Sequence, residues 1–431
     1  MTIRIDRPVQ GGTIRAIASK SEAHRLMVCA ALASAPAGRE TLIACPDSSE
    51  DIDATARCLN ALGAVVRYEH DGFFVTPIKE KNVSSPQSPA VLDCGESGST
   101  LRFLLPVSGA LGLAVSINMG GRLSLRPLSP LRDEMASHGC TLSGPGHSPL
   151  TCEGRLVHGN YTLPGNISSQ FVSGLLFALP LLKGDSVIRV TGVLESRPYV
   201  DMTLDALRMF GIEVSEEQDQ VFRIPGGQTA CSPGNAKAAG DWSGAAFWLA
   251  AGAIGKGSVT CSGLDPDSRQ GDRAIAGLLK RLGAHVSCVR DAVTVSPGVL
   301  RGIDIDAGDT PDLVPVLAVV ACVAEGKTII RNAGRLRMKE SDRLRTLAVS
   351  LSGLGADIAE TDDGLVIRGK KTLSGGETQS HGDHRIAMAA AILSAACTGP
   401  VAIRDAEAVR KSYPGFFEDL SSALGGACEY V

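Results

Sequence analysis

The chain has 431 residues and 42 Lys+Arg against 46 Asp+Glu, so its formal net charge of −4 leaves no overall positive field to hold nucleic acid. At 44% apolar and 20% charged residues it reads as a globular protein long enough for about two or three domains. Aromatic residues make up 4%, which argues against a base-stacking surface.

The opening MTIRIDRPVQGG carries no apolar run and predicts no secretory signal. SKSEAHRLMVCAALA then predicts a helix, closed near Pro36 and followed by a short strand, ETLIACP. DIDATARCLNAL, with apolar residues three and four apart, predicts an amphipathic helix. Gly63 follows it where a helix end takes a left-handed residue, and AVVRYEHDGFFVTP predicts a hairpin. The same series then recurs along the chain. GESGSTLRFLLPVSGAL, GNISSQFVSGLLFALPLL, GDWSGAAFWLAAGAI, GDTPDLVPVLAVVACVA and GDHRIAMAAAILSAAC each open in a polar loop and run into a helix without a broad polar face, expected in the interior. The helix-closing glycines are Gly63, Gly139, Gly211, Gly283, Gly355 and Gly425, at intervals of 76, 72, 72, 72 and 70. Such even spacing predicts an α/β fold of two similar domains, each of three βαβαββ units, making six repeats of about 72 residues. A single doubly wound sheet fits less well, since it would not place a hairpin in every unit.

Ile386 to Ile403 is free of charge but rich in Ala, with Ser, Thr, Gly and Pro, so it predicts a buried helix and a turn rather than a membrane span. The twelve cysteines form no CxxC or Cys/His spacing and are expected as reduced, mostly buried thiols in a cytoplasmic protein.

The unusual polar residues fall in the loops that open helices. A helix N-terminus carries roughly half a positive charge and unpaired N–H groups, so it attracts anions. Lys20, Arg25, Arg122, Lys339, Arg343, Arg385 and Lys411 are seven cations in such loops, and the carboxylates Asp312 and Glu340 lie among them. Cations gathered at that density call for anionic ligands, and two phosphorylated or carboxylated substrates would fit. Taken singly, each has a plainer reading: Ser168 or Ser169 as a helix cap, 339–343 as a solvated charge run, Asp383-His384-Arg385 as a cap with an ion pair. The Gly364–Lys371 match to a phosphate loop fails because Lys371 replaces Ser/Thr and the segment reads as a hairpin strand.

The strings SKSEAHR (19–25), GESGSTLR (95–102), GGRLSLRPL (120–128), SSQ (168–170), SRPYVDMT (196–203), GDWSGAAF (240–247), QGD (270–272), PD (311–312), RLRMKESDRL (335–344), GDHRIAMA (382–389) and KSYPGFF (411–417) resemble, in order, those of the 5-enolpyruvylshikimate-3-phosphate synthases. The resemblance implies an enolpyruvyl transferase-like fold, with one domain at 19–237, the other at 1–18 plus 238–431, hinges near 18–20 and 236–240, and the first strand paired within the C-terminal domain. It implies transfer of the enolpyruvyl group of phosphoenolpyruvate to the 5-hydroxyl of shikimate-3-phosphate with release of phosphate, by addition and elimination through a tetrahedral intermediate, on the way to chorismate and the aromatic amino acids. No metal, organic cofactor, nucleic acid or membrane is implied, and a cytoplasmic monomer is expected. Closure of the two domains is expected to expel water from the reacting groups.

By resemblance, Lys20, Ser21, Arg25, Ser168, Ser169, Gln170, Ser196, Tyr199, Asp312, Arg335 and Lys339 match positions that hold shikimate-3-phosphate. Lys20, Gly98, Arg122, Gln170, Arg343, Arg385 and Lys411 match those that hold phosphoenolpyruvate. Asp312, Glu340 and Lys20 match the proton-handling groups: Asp312 for the hydroxyl, Glu340 for the proton at C3, Lys20 for both steps and the departing phosphate. The chain departs from the familiar pattern at Glu96 (for Asn), Ser99 (for Thr), Phe103 (for Pro) and Arg335 (for Asn), which bears on the analogue glyphosate because the Gly98 loop lines its pocket; binding is expected. Two alternatives stay open from sequence alone. The sister transferase acting on UDP-N-acetylglucosamine usually carries a Cys just before the Arg-Pro pair, where this chain has none. A catalytically silent anion-binding protein would be expected to lose Asp312, Glu340 or Lys20.

Overall fold

A computed structural model describes residues 1–34, 40–79, 88–144, 146–217 and 220–431. The expected turn at Pro36 lies outside the described residues. The chain divides into two compact units, Lys20–Ala238 and Met1–Ser19 with Ala239–Val431.

Among the described residues each unit holds three four-stranded sheets of one design: an edge strand parallel to its neighbour, then two antiparallel ones. In the second repeat these are Ala90–Asp93, Val115–Asn118, Leu150–Gly154 and Cys140–Leu142. The third uses Asn160–Pro164, Ser186–Thr191, Val221–Ile224 and Ser215–Glu217, and the fifth uses Asp304–Asp306, Lys327–Arg331, Leu365–Arg368 and Asp357–Glu360.

The other three repeats borrow a strand, which the contiguous βαβαββ reading did not foresee. Asn235–Lys237 runs parallel to Thr41–Ala44 and supplies the edge of the first sheet. Gly12–Arg15 does the same beside Val259–Ser262 in the fourth. In the sixth repeat the chain has only Ala427–Tyr430 after its last helix, and Thr2–Arg7 inserts between it and Val401–Arg404 in place of the second hairpin strand. A sheet lacking that strand would expose two edges with unpaired N–H and C=O groups, so the chain's first segment completes it.

All six spacing glycines adopt positive φ, from +69° at Gly425 to +108° at Gly283. In four repeats the residue after the glycine donates its N–H five residues back: Ala64 to Leu59, Ile212 to Leu207, Ala284 to Leu279 and Ala356 to Leu351. That bond satisfies a carbonyl left over at the helix end.

The helices with no polar face are interior, as expected. Trp242–Ile254, Val314–Ala321 and His384–Leu393 form the core of their unit with the inner faces of the sheets, and every residue of Val314–Ala321 is buried. The charge-free stretch after Ile386 is the rest of a buried helix, a 3-10 turn and the strand Val401–Arg404. Among the described residues no helix is long and apolar enough to cross a membrane. Eight of the twelve cysteines are buried free thiols.

Candidate active site

In the Lys20–Ala238 unit the N-terminal turns of Lys20–Leu32, Gly98–Leu111, Ser169–Ala178 and Arg197–Met209 converge. Arg25, 2% exposed, ties three of them together. Its Nη1 donates to the Ser21 carbonyl at 2.6 Å, Nη2 to the Tyr199 carbonyl at 2.8 Å and Nε to Thr203 Oγ1 at 2.9 Å, and its guanidinium lies 5.1 Å from the Phe103 ring centre. Burial pulls the guanidinium down to about 10, so it remains cationic at neutral pH. Lys20, the first residue of its helix, donates from Nζ to Asp51 at 2.7 Å. Ser168 is the helix cap of the plainer reading, its hydroxyl accepting from the Gln170 N–H, and Ser169 beside it is buried. Ser196 is buried with a left-handed φ of +55°, a costly conformation for a residue with a Cβ and one that clusters at functional sites.

Around Gly98 the structure brings up two further arginines. A Cβ placed on Gly98 would lie 2.5 Å from Arg102 Nη1 and 2.8 Å from Arg126 Nη1. Arg102 also donates to the Gly98 carbonyl and to Gln170 Oε1, whose amide donates on to Ser99. Arg122, the expected anion holder, is exposed; the turn Leu123–Leu125 carries the chain round so that Arg126 reaches Gly98. His24, Thr55, Thr100 and Ser97 form a buried hydrogen-bonded row that fixes the start of the Gly98 helix. Burial, then Lys20 and Arg25, hold His24 well below its ordinary value, so it is a neutral part of that row.

In the other unit Arg343, 1% exposed, is bonded to three carboxylates: Asp383 through Nε at 2.7 Å and Nη2 at 3.3 Å, Asp312 through Nη1 at 3.0 Å, and Glu340 through Nη2 at 2.6 Å. Asp383 is fully buried; it caps His384–Leu393 through the Arg385 N–H and accepts from Ser341. Arg385 meets Asp312 twice, Nη1 on its carbonyl at 2.9 Å and Nη2 on Oδ2 at 3.3 Å, while Lys339 Nζ stands 3.9 Å from Oδ1. Burial alone would raise the Asp312 carboxyl, but Arg385, Lys339 and Arg343 outweigh burial and the repulsion of Glu340 and hold it well below the ordinary carboxylate range. Lys411, nearly buried, donates to the Gly382 carbonyl at the head of the Arg385 helix. Arg335 bonds the Gly308 carbonyl in the loop before Asp312.

Two clusters therefore emerge. One gathers Ser21, Arg25, Gly98, Ser168, Ser169, Gln170 and Tyr199; the other gathers Asp312, Lys339, Glu340, Arg343, Arg385 and Lys411. Sequence reasoning passed over Asp51, Arg102, Arg126 and Thr203, and read Asp383 only as a cap with an ion pair. Arg102 and Arg126 sit inside the quoted strings and carried a signal; Asp51 looks like an ordinary first-turn carboxylate. Among the described residues no group of three or more His, Cys, Asp or Glu is placed to hold a metal ion.

Residues 4–420 match the family described as EPSP synthase (3-phosphoshikimate 1-carboxyvinyltransferase). A 3-phosphoshikimate 1-carboxyvinyltransferase of Clostridium kluyveri is 44% identical over 416 residues, 96% of this chain and 95% of that protein. One of Clostridioides difficile is 40% identical over 425 residues, with 96% and 95% coverage. Among solved structures, the EPSP synthase of Acinetobacter baumannii superposes with a TM-score of 0.81 over 100% of both chains at 25% identity. The enolpyruvyl transferase NikO of Streptomyces tendae, at 20% identity and a TM-score of 0.79 over 100% of this chain and 98% of its own, shares the fold. The chain belongs to the EPSP synthase family of enolpyruvyl transferases.

Proposed function

We propose that the chain transfers the enolpyruvyl group of phosphoenolpyruvate to the 5-hydroxyl of shikimate-3-phosphate and releases phosphate. The observation that carries the mechanism is that one buried guanidinium, Arg343, holds Asp312 and Glu340 in fixed relation while Arg385 and Lys339 approach Asp312 from other sides. Two carboxylates so placed can serve the two proton movements of an addition and an elimination. Asp312 orients the attacking hydroxyl and accepts its proton; Glu340, entering the cycle as the protonated acid, delivers its proton to C3 of phosphoenolpyruvate and takes one back in the elimination; Lys20 neutralises the departing phosphate. Each such transfer is worth about 10²–10⁴-fold.

The clusters divide the binding work by chemistry. Ser21, Arg25, Ser168, Ser169, Gln170, Ser196 and Tyr199 supply hydroxyls, an amide and a guanidinium for a phosphorylated polyol, with Asp312, Arg335 and Lys339 on its other groups. Lys20, Gly98, Gln170, Arg343, Arg385 and Lys411 serve phosphoenolpyruvate. Arg122 stays in that set, and Arg126 and Arg102 join it because their guanidinium groups stand at Gly98. Arginine forks bind carboxylate and phosphate at two points, which suits a ligand carrying both.

The test is phosphate release with both substrates and with either alone. Release only with both supports the reading; release from phosphoenolpyruvate alone, or none at all, contradicts it. Asp312→Asn with near-normal turnover would rule out the role given to Asp312.

A further inference from the structure

His24 lies one turn after Lys20 on the helix Lys20–Leu32. The helix Glu50–Ala61 meets both residues. Asp51 takes the Lys20 ammonium at 2.7 Å, and Thr55, one turn on, places its Oγ1 2.7 Å from His24 Nδ1. Thr55 Oγ1 is also 2.7 Å from Thr100 Oγ1, and Thr100 Oγ1 donates to Ser97 Oγ at 2.7 Å. Ser97 caps Gly98–Leu111, its hydroxyl oxygen accepting from the Thr100 N–H at 3.3 Å. His24, Thr55, Thr100 and Ser97 are all buried, and His24 Nε2 has no hydrogen-bond partner among the described residues.

The row has a direction, because a hydroxyl has one hydrogen to donate. Thr100 spends its hydrogen on Ser97, so Thr55 is the donor in the bond between the two threonines. Thr55 then has none left for His24, so His24 Nδ1 carries a proton and donates it to Thr55. Burial first, then Lys20 and Arg25, keep the imidazole neutral, which makes Nε2 a bare acceptor that faces no donor. A leucine would fill the place without stranding a ring nitrogen, so what the imidazole contributes is its Nδ1–H. We propose that His24 is a positioning residue for the Gly98 loop: its Nδ1–H heads a one-way row that holds Ser97 as an acceptor and so aims the first N–H groups of Gly98–Leu111 at the phosphoenolpyruvate anion. Without that donor the Thr55 hydroxyl is free to rotate, and Thr100 and Ser97 lose the orientation it imposes. The inference rests on Gly98 serving phosphoenolpyruvate.

The experiment measures KM for each substrate, and Tm, in the full-length protein and in His24→Leu, His24→Asn and Thr55→Val. For one buried hydrogen bond lost, KM for phosphoenolpyruvate should rise roughly three- to tenfold in His24→Leu and in Thr55→Val, with KM for shikimate-3-phosphate nearly unchanged. His24→Asn, whose amide can donate from near the Nδ1 place, should stay close to the unmodified protein. His24→Leu combined with Thr55→Val should do no more than either alone, since both cut one row. A merely structural role would move both KM values with Tm and would gain nothing from Asn. Thr55→Val carries the test if His24→Leu fails to fold. Nitrogen-15 spectra of the His24 ring read the tautomer without turnover: a protonated Nδ1 and a bare Nε2 support the proposal, and the opposite tautomer overturns it. An equal rise in both KM values, an unchanged phosphoenolpyruvate KM in Thr55→Val, or additive effects in the double variant also overturn it. Phosphate release by the unmodified protein only with both substrates leaves the proposed function standing through any of these failures. No release, with the proton found on Nδ1, means that the proposed function has failed and the role of His24 in it as well.

Discussion

Replacing Arg343 by Met should unfold its unit at a much lower temperature, and by less in acid than at neutral pH. Four hydrogen bonds from this guanidinium end on Asp312, Glu340 and Asp383, and the residue is 1% exposed. Met fills a similar volume but leaves three carboxylates without the cation that links them. Removing one partner of a buried ion pair costs about 3–5 kcal/mol. For a unit of this size each kcal/mol corresponds to about 2–4 °C, so Tm should fall by roughly 10 °C at pH 7.5.

The pH dependence follows from the carboxylates. In the unmodified protein Asp312 is held below its ordinary value, so its stabilisation is complete above the unfolded-chain value of about 3.9 and is lost only as pH falls through the lower folded value. Without Arg343 the same buried group loses one of the cations that hold it charged, and protonation relieves part of the penalty. The gap in Tm between the two proteins should therefore be widest above pH 7 and narrower near pH 5. Thermal unfolding of both proteins at pH 5 and pH 7.5 measures it. A loss under 2 °C at pH 7.5, or a larger loss at pH 5, would refute the picture of Arg343 as the tie among three carboxylates.

Gly98→Ala should raise KM for phosphoenolpyruvate, and weaken competition by glyphosate, by more than it lowers Tm, because the new methyl meets the guanidinium ends of Arg102 and Arg126 rather than backbone; steady-state kinetics beside a thermal scan decide this. Arg126→Ala should raise that KM by at least about tenfold, as expected for a lost charge-assisted bond, and so should Arg122→Ala; an unchanged KM in either variant removes that arginine from the set. Gly211→Ala should cost about 1–2 kcal/mol in denaturant unfolding, since its Cβ would meet nothing and only the left-handed φ opposes it. Gly283→Ala should cost more, because there the Cβ would also strike the Val299 carbonyl.

What the sequence made legible was local or periodic. A glycine after an amphipathic helix announces a left-handed cap by itself, and six of them at near-equal spacing announce a repeat. The borrowed strands were not legible from pattern, because Gly12–Arg15 and Asn235–Lys237 are short and pair with segments far away in the chain. Only the resemblance pointed to the pairing of Thr2–Arg7 within the C-terminal half. In the site, Asp312, Glu340 and Arg385 stand at helix starts where loop residues attract notice. GGRLSLRPL offers two arginines four apart, and telling which one reaches Gly98 needs the direction of a three-residue 3-10 turn.

The charge arrangement also explains why a base of such low intrinsic strength can serve. Asp312 is bonded or close to Arg343, Arg385 and Lys339, all of which favour its ionised form. A carboxylate held that low takes a proton reluctantly. Arg343 is fixed by Asp383 and Glu340 as well as Asp312, whereas Arg385 and Lys339 approach Asp312 from other sides. Under the proposed function, a substrate anion that drew one of them off would raise the basicity of Asp312. On this reading the binding of phosphoenolpyruvate strengthens the base that begins the reaction, and the fixed tie through Arg343 keeps Asp312 and Glu340 in register.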